Sequence, residues 1–219
     1  ETSGEIEDMF GETEGMECRN NLQSLWNVMQ EMANNPEDIT KRRLFVSTAE
    51  SFLETAQNIY TQLNTYQVSL NKEISDQVDR INTIGETIAY YNKEIAKIEA
   101  GGVENANDYR DARNLLLDEL ATYTNFNYQE DEKGSIQVYI ENALFVDAGV
   151  SYHLGCEKIP ENGFYTVRWM DNGYGDAFDT SEAYSTERKT DVGSLRGILT
   201  ARGLKSANYS DIPDQPQKE

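Results

Sequence analysis

The chain has 219 residues and carries 39 Asp and Glu against 19 Lys and Arg, a net charge of −20. Nucleic acid is excluded as a partner because no basic footprint is visible, and an anionic membrane surface is disfavoured by the same sign of charge. No run approaches the ~18 consecutive apolar residues of a membrane-spanning helix, and the length suits one elongated unit or two small domains.

Neither an initiator Met nor a signal peptide opens the chain at Glu1, and it reads as a piece of a longer protein. Residues 1–16 are acidic and Gly-rich, with one apolar pair at Met9 and Phe10, and are expected to be a flexible lead-in. A first amphipathic helix is expected over about 17–33, with Leu22, Leu25, Trp26, Met29, Met32 and Ala33 on its apolar face. Asn34-Asn35-Pro36-Glu37-Asp38 then reads as a helix start. Asn35 suits the N-cap, Pro36 the first helical position, and the two acids the positive end of the dipole.

The second helix carries the dominant pattern. Ala49, Phe52, Ala56, Ile59, Leu63, Tyr66 and Leu70 alternate at spacings of three and four. The stripe passes through Ile74, Val78 and Ile81 in an eleven-residue step, then continues through Ile84, Ile88, Tyr91, Ile95 and Ile98. This is a coiled-coil seam with one stutter, ended by Gly101-Gly102. At ~1.5 Å per residue, about 64 residues span roughly 95 Å. Phe52, Ile59, Leu63, Leu70, Ile81 and Ile88 are expected to carry its stability. Gly85 has two readings, a bend or a tolerated surface glycine.

A third helix is expected over about 107–123, capped by Asn107, with Tyr109, Ala112, Leu116, Leu120 and Tyr123 as its stripe. From Phe126 the period changes to alternation. Tyr128, the turn Asp131–Gly134, and Ile136, Val138 and Ile140 form a hairpin signal. Leu144 and Val146 follow a turn at Asn142, and Val150–Leu154, Phe164, Val167 and Trp169 suggest further strands. Asp171–Asp176 reads as a loop, and a short helix over about 193–203 carries Leu195, Ile198, Leu199 and Ala201.

The fold class is therefore α+β, mainly α: an elongated helical bundle or coiled-coil rod with a small antiparallel β-rich domain. The expected divisions are 17–125 for the long-helix bundle, with 193–205 packing back on it, 126–192 for the β-rich domain, and 206–219 for a disordered tail. The first and third helices can each cover one end of the long helix. Its middle, roughly Ala56 to Ile84, is then expected to lack cover, to be met either by a helix from outside these residues or by self-association.

Chemistry finds little support in the residues. No catalytic, cofactor-binding or metal-ligating residue is singled out, and no enzyme activity is expected. The loop from Asp171 to Asp179 fails as a calcium loop because Gly173 and Asp176 stand at its third and sixth positions. His153 has no nucleophile motif beside it, and no nucleotide-binding fingerprint appears. Cys18 and Cys156 leave two readings open, unpaired thiols or one disulfide, and with a single histidine they do not make a zinc site. Asn208-Tyr209-Ser210 fits a glycosylation acceptor, a match common by chance.

Several segments in order resemble the flagellar hook-associated protein 1 family, the first hook–filament junction proteins. They are Met9-Phe10-Gly11-Glu12, Leu22–Asn27 and Met32–Pro36, then the long heptad helix. Asp108–Leu120 is similar to that family's acidic helix, with an extra Arg in the stretch from Arg110 to Arg113 as a departure. Gly134–Ile140 resembles its hairpin, and Gly193–Leu199 with Arg202 its returning helix. The resemblance covers most of residues 7–203. It implies an exported, extracellular structural subunit without a cofactor, self-assembling into a ring. Its implied partners are the hook protein, the second junction protein and neighbouring copies, with an export chaperone acting through a C-terminal end absent here. The alternatives are a ligand-binding or enzymatic domain on a coiled-coil stalk, a coiled-coil adaptor unrelated to flagella, or another axial protein such as flagellin or the second junction protein.

Overall fold

The computed structural model describes residues 14–101, 105–160, 163–171, 173, 175–178 and 192–203. The order is α1 (Glu14–Asn34), α2 (Ile39–Glu99), α3 (Asn107–Tyr123), β1 (Phe126–Glu130), β2 (Ile136–Ile140), β3 (Ala143–Asp147), β4 (Val150–Ser151), β5 (Leu154–Lys158), β6 (Tyr165–Trp169) and α4 (Ser194–Arg202). The chain is α+β and mainly α. Residues 14–16 belong to α1, while the rest of the expected lead-in and the tail over 206–219 lie outside the described residues. Two compact units divide the chain, Glu1–Ser69 and Leu70–Glu219. The change from helix to strand at 125/126 falls inside the second.

The first unit is a helical hairpin. The helix start differs from the expected one. Asn35-Pro36-Glu37 turn the chain, and Asp38 caps α2 by accepting from the Thr40 backbone N–H at 2.8 Å. Asn35 instead accepts the Asp38 N–H through its carbonyl, at 3.2 Å. Cys18, Asn21, Leu25, Val28 and Met32 are half-buried along α1 at spacings of three and four, and Asn21 Nδ2 donates to Thr55 Oγ1 at 2.8 Å.

The second unit builds around the other half of α2. There Leu70, Ile74, Val78, Ile81, Ile84, Ile88 and Ile95 are buried, so the seam expected to lack cover is sealed from Leu70 onward. One wall is α3, antiparallel to α2. Arg80 grips Glu119 through two bonds of 2.6 and 2.7 Å, Arg113 reaches Asn92 at 3.0 Å, and Arg110 pairs with Glu99 at 2.8 Å. Asn107 does not cap α3. It is the helix's first residue, and the Ala106 N–H before it is met by Glu99 Oε1 at 3.0 Å.

The other wall is the β layer. A four-stranded antiparallel meander has the order β1-β2-β3-β4, and β5 pairs with β6 in a separate ribbon. Ile136, Val138 and Ile140 point inward, as the alternation requires. In β3 the register shifts opposite Val138/Tyr139, so Phe145 and Val146 are both buried and Leu144 is not. The Phe145 ring meets Trp169 at 6.2 Å between centroids, joining meander to ribbon.

Three asparagines of α2 fasten this layer. Asn92 is fully buried and uses its whole amide. Its Nδ2 donates to the Ile136 and Ala148 carbonyls at 2.8 and 2.6 Å, and its Oδ1 accepts from the Ile136 N–H at 3.1 Å and from Arg113. Asn82 brackets Leu154, donating to its carbonyl at 2.8 Å and accepting its N–H at 2.9 Å. Asn71 Oδ1 accepts the Tyr165 N–H and an Arg202 N–H, both at 2.8 Å.

Neither expected reading of Gly85 holds, since it lies buried within a continuous helix. A Cβ there would stand 2.4 Å from the Phe145 ring and 2.5 Å from Ser151 Oγ, so only glycine lets β3 and β4 approach. At the far end α4 packs back with Leu195, Ile198 and Leu199 buried, and Ser194 donates to Gln77 at 3.0 Å. Gly193 adopts φ 96° against the end of α3, where a Cβ would lie 2.6 Å from the Tyr123 carbonyl oxygen.

Two substitutions probe this layer by thermal denaturation. Asn92→Ala removes the amide that meets the Ile136 and Ala148 peptide groups, takes one of the partners of Arg113, and is expected to cost about 3 kcal/mol or more. Gly85→Ala, which in an exposed helix would gain up to about 1 kcal/mol, is expected here to destabilise by about 1–3 kcal/mol through overpacking.

Candidate assembly surface

Of the residues weighed for chemistry, His153 and Asp171 meet, Nδ1 to Oδ2 at 2.8 Å. Among the described residues no cluster of three or more His, Cys, Asp or Glu could hold a metal ion. Cys18 and Cys156 are unpaired, and burial pushes the Cys156 thiol above its ordinary value. Asn208 lies outside the described residues. The strongest ion-pair cluster is structural. Glu99 receives Arg110 and the Ala106 N–H and is held down to about 2, and Arg110 also pairs with Glu130 at the end of β1. Arg113, in the stretch where the acidic helix departs from the family pattern, is the buried member. It donates to the Gly134 carbonyl at 2.6 Å and stands 3.3 Å from Glu130.

The distinctive surface lies in the first unit. No described residue there is fully buried, including Phe52, Ile59 and Leu63, which are half-buried and seal less than expected. The face expected for α1 splits in two. Leu25 and Met32 turn toward the hairpin seam, while Leu22, Trp26 and Met29 stay exposed. On α2 a second apolar line appears at Ile39, Val46, Leu53 and Tyr60, one residue per heptad, exposed by 64, 53, 63 and 70%.

These two lines share one side of the hairpin. At about 100° per residue, each is displaced from its own seam by roughly 90° in the same sense of increasing residue number. Antiparallel helices wind in opposite senses when viewed from one end, and their seams face each other, so both displacements point to the same side. A hollow of about 330 Å³ opens beside the α2 line, lined by Ile39, Arg42, Arg43, Val46, Ser47 and Glu50. Two helices with no fully buried residue form a marginal unit in water. An exposed apolar face of this kind has the character of an interaction surface.

The fold thus defines a class: a helical assembly domain whose long helix is braced by a β layer over one stretch and keeps an apolar face over the other. The model of the family described as "Flagellar hook-associated protein FlgK helical domain" matches residues 3–215, and the chain belongs to that family. It is 27% identical over 130 residues to flagellar hook-associated protein 1 of Bacillus subtilis (strain 168), a match over 59% of this chain and 25% of the relative. Its fold resembles that of the flagellar hook junction protein FlgK from Burkholderia pseudomallei, with a TM-score of 0.76 and 19% identity, over 92% of this chain and 35% of that one. At 19% identity this likeness speaks for the fold alone. The chain spans about a quarter of the curated relative and about a third of the solved one.

Sequence reasoning missed Asn71, Asn82 and Asn92. Their signal was present as amides set about three helical turns apart beside an otherwise apolar stripe. It also missed the line Ile39, Val46, Leu53 and Tyr60, which the stronger seam beside it masks. The two halves of α2 should respond differently to substitution. Ile81→Ala is expected to cost about 2–4 kcal/mol in thermal denaturation. Trp26→Ser and Leu53→Ser should each change stability by no more than about 0.5 kcal/mol while lowering the binding of an apolar-surface dye.

Proposed function

We propose that this chain is the helical domain of a structural subunit at the hook–filament junction of the bacterial flagellum, exported and extracellular, acting by self-assembly rather than catalysis. The family match over residues 3–215 carries the reading. The open apolar face of the first unit supports it, because such a face has a use in an assembly and is a liability in a monomer. Its partners on this reading are flagellar proteins: the hook protein, the second junction protein and neighbouring copies in a ring. The β layer of the second unit serves as a brace that stiffens α2, and the first unit supplies packing surface for helices outside these residues.

Deleting the parent gene from the source bacterium tests the role by electron microscopy. The expected outcome is hooks without filaments, with filament protein shed into the medium. Normal filaments would overturn it. Restoring the gene with Trp26→Asp and Leu53→Asp tests the surface. Loss of filaments, with the purified variant chain melting as the wild type does, is the expected result, and normal filaments would show that the face is not used.

A further inference from the structure

We propose that Glu86, His153 and Asp171 form a proton-operated latch that ties α2 to the β4–β5 connection and to the turn after β6. His153 is the only histidine of the chain, and both its ring nitrogens face carboxylates. Nε2 lies 3.0 Å from Glu86 Oε1 on α2, and Nδ1 lies 2.8 Å from Asp171 Oδ2. The backbone around the ring is fixed. The His153 N–H donates to Asp171 Oδ2 at 3.0 Å, the Met170 N–H donates to the His153 carbonyl at 3.0 Å, and the next residue, Leu154, is bracketed by Asn82. The ring therefore stays between its two acids whatever its charge.

An imidazolium has two N–H donors and satisfies both carboxylates, while a neutral imidazole has one. The loss of the proton falls unequally. Asp171 keeps the His153 backbone N–H in any case, so the single ring proton is best used on Nδ1, which completes a two-point contact. Nε2 then turns a lone pair toward Glu86, and the tie to α2 opens. The charged groups facing the ring are Glu86 from α2 and Asp171 from the turn after β6. The nearby cation on β6, Arg168, is directed at Glu157 at 2.6 Å and Asp176 at 3.1 Å.

The two acids, Glu86 foremost, raise the His153 pKa above its ordinary 6.5, and the imidazolium lowers that of Asp171 below its ordinary 3.8. A raised folded-state value stabilises below 6.5, and that contribution disappears as pH climbs through the shifted value. A lowered carboxylate value stabilises above 3.8, and that contribution disappears as pH falls through the shifted value. The latch is thus closed in mildly acidic solution and opens on the alkaline side.

The test is an NMR titration of the single histidine, with amide hydrogen exchange at His153 and Met170, in the wild-type chain and in Glu86→Gln. Glu86 is exposed on α2, so this variant keeps the fold. The expected result is a wild-type midpoint above 6.5 that falls in E86Q. The variant should exchange these amides faster than the wild type below the wild-type midpoint and at the same rate above it. Taking the ratio at each pH removes the intrinsic base catalysis of exchange. Equal midpoints in the two proteins, or a ratio that does not change with pH, would overturn the latch.

Discussion

The second unit depends on the carboxamides of Asn71, Asn82 and Asn92. A helix has spent its backbone N–H and C=O groups on itself, so it offers nothing to the peptide groups of a strand laid across it. An asparagine side chain carries the same donor and acceptor pair as a peptide, and on α2 it takes the place of a neighbouring strand. Leu154 and Ile136 are each held by two hydrogen bonds this way, the N–H donating to the amide oxygen and the carbonyl accepting from the amide nitrogen. The flanking isoleucines exclude water, which makes these bonds stronger and their loss more damaging. Where the strands come closest, Gly85 removes the side chain that would hold them off.

This arrangement explains why one helix has two characters. From Leu70 onward, α3, the β layer and α4 close over the stripe, and each closure is secured by a polar pair: Arg80 with Glu119, Asn92 with Ile136, Arg202 with Asn71 and the Tyr165 carbonyl. The eleven-residue step from Leu70 to Ile81 matters here. It averages close to the 3.6 residues of a straight helix, so the stripe runs along one side and meets the layer without winding away. The equal spacing of Asn71 and Asn82 follows from the same geometry. Before Leu70 the helix keeps a heptad pattern, which is built for other helices, and among the described residues only α1 meets it.

Much of the fold was legible because it is written in local periodicities. The change from helical spacing to alternation at Phe126 located the helix-to-strand transition, and the turn residues Asp131–Gly134 and Asn142 placed the hairpins. Cap positions were less legible. Asn35-Pro36 and Asp38 are both competent starts, and the choice went to Asp38 because the Thr40 N–H is the donor it reaches. Alternation cannot express the facing of β3, where a register shift puts the neighbours Phe145 and Val146 on the same side.

The sequence by itself determined the α+β class, the long seam with its stutter, the order of the elements and the acidic surface. These follow from spacing and composition, which act over a few residues. Only the tertiary structure decided which half of the seam is sealed, that Gly85 is a contact rather than a bend, that Arg113 is buried, and that His153 stands between two acids. Each of those depends on groups far apart in the chain meeting across an interface. A side chain's burial and hydrogen-bond partners belong to the pair of surfaces that meet, so neither surface alone specifies them.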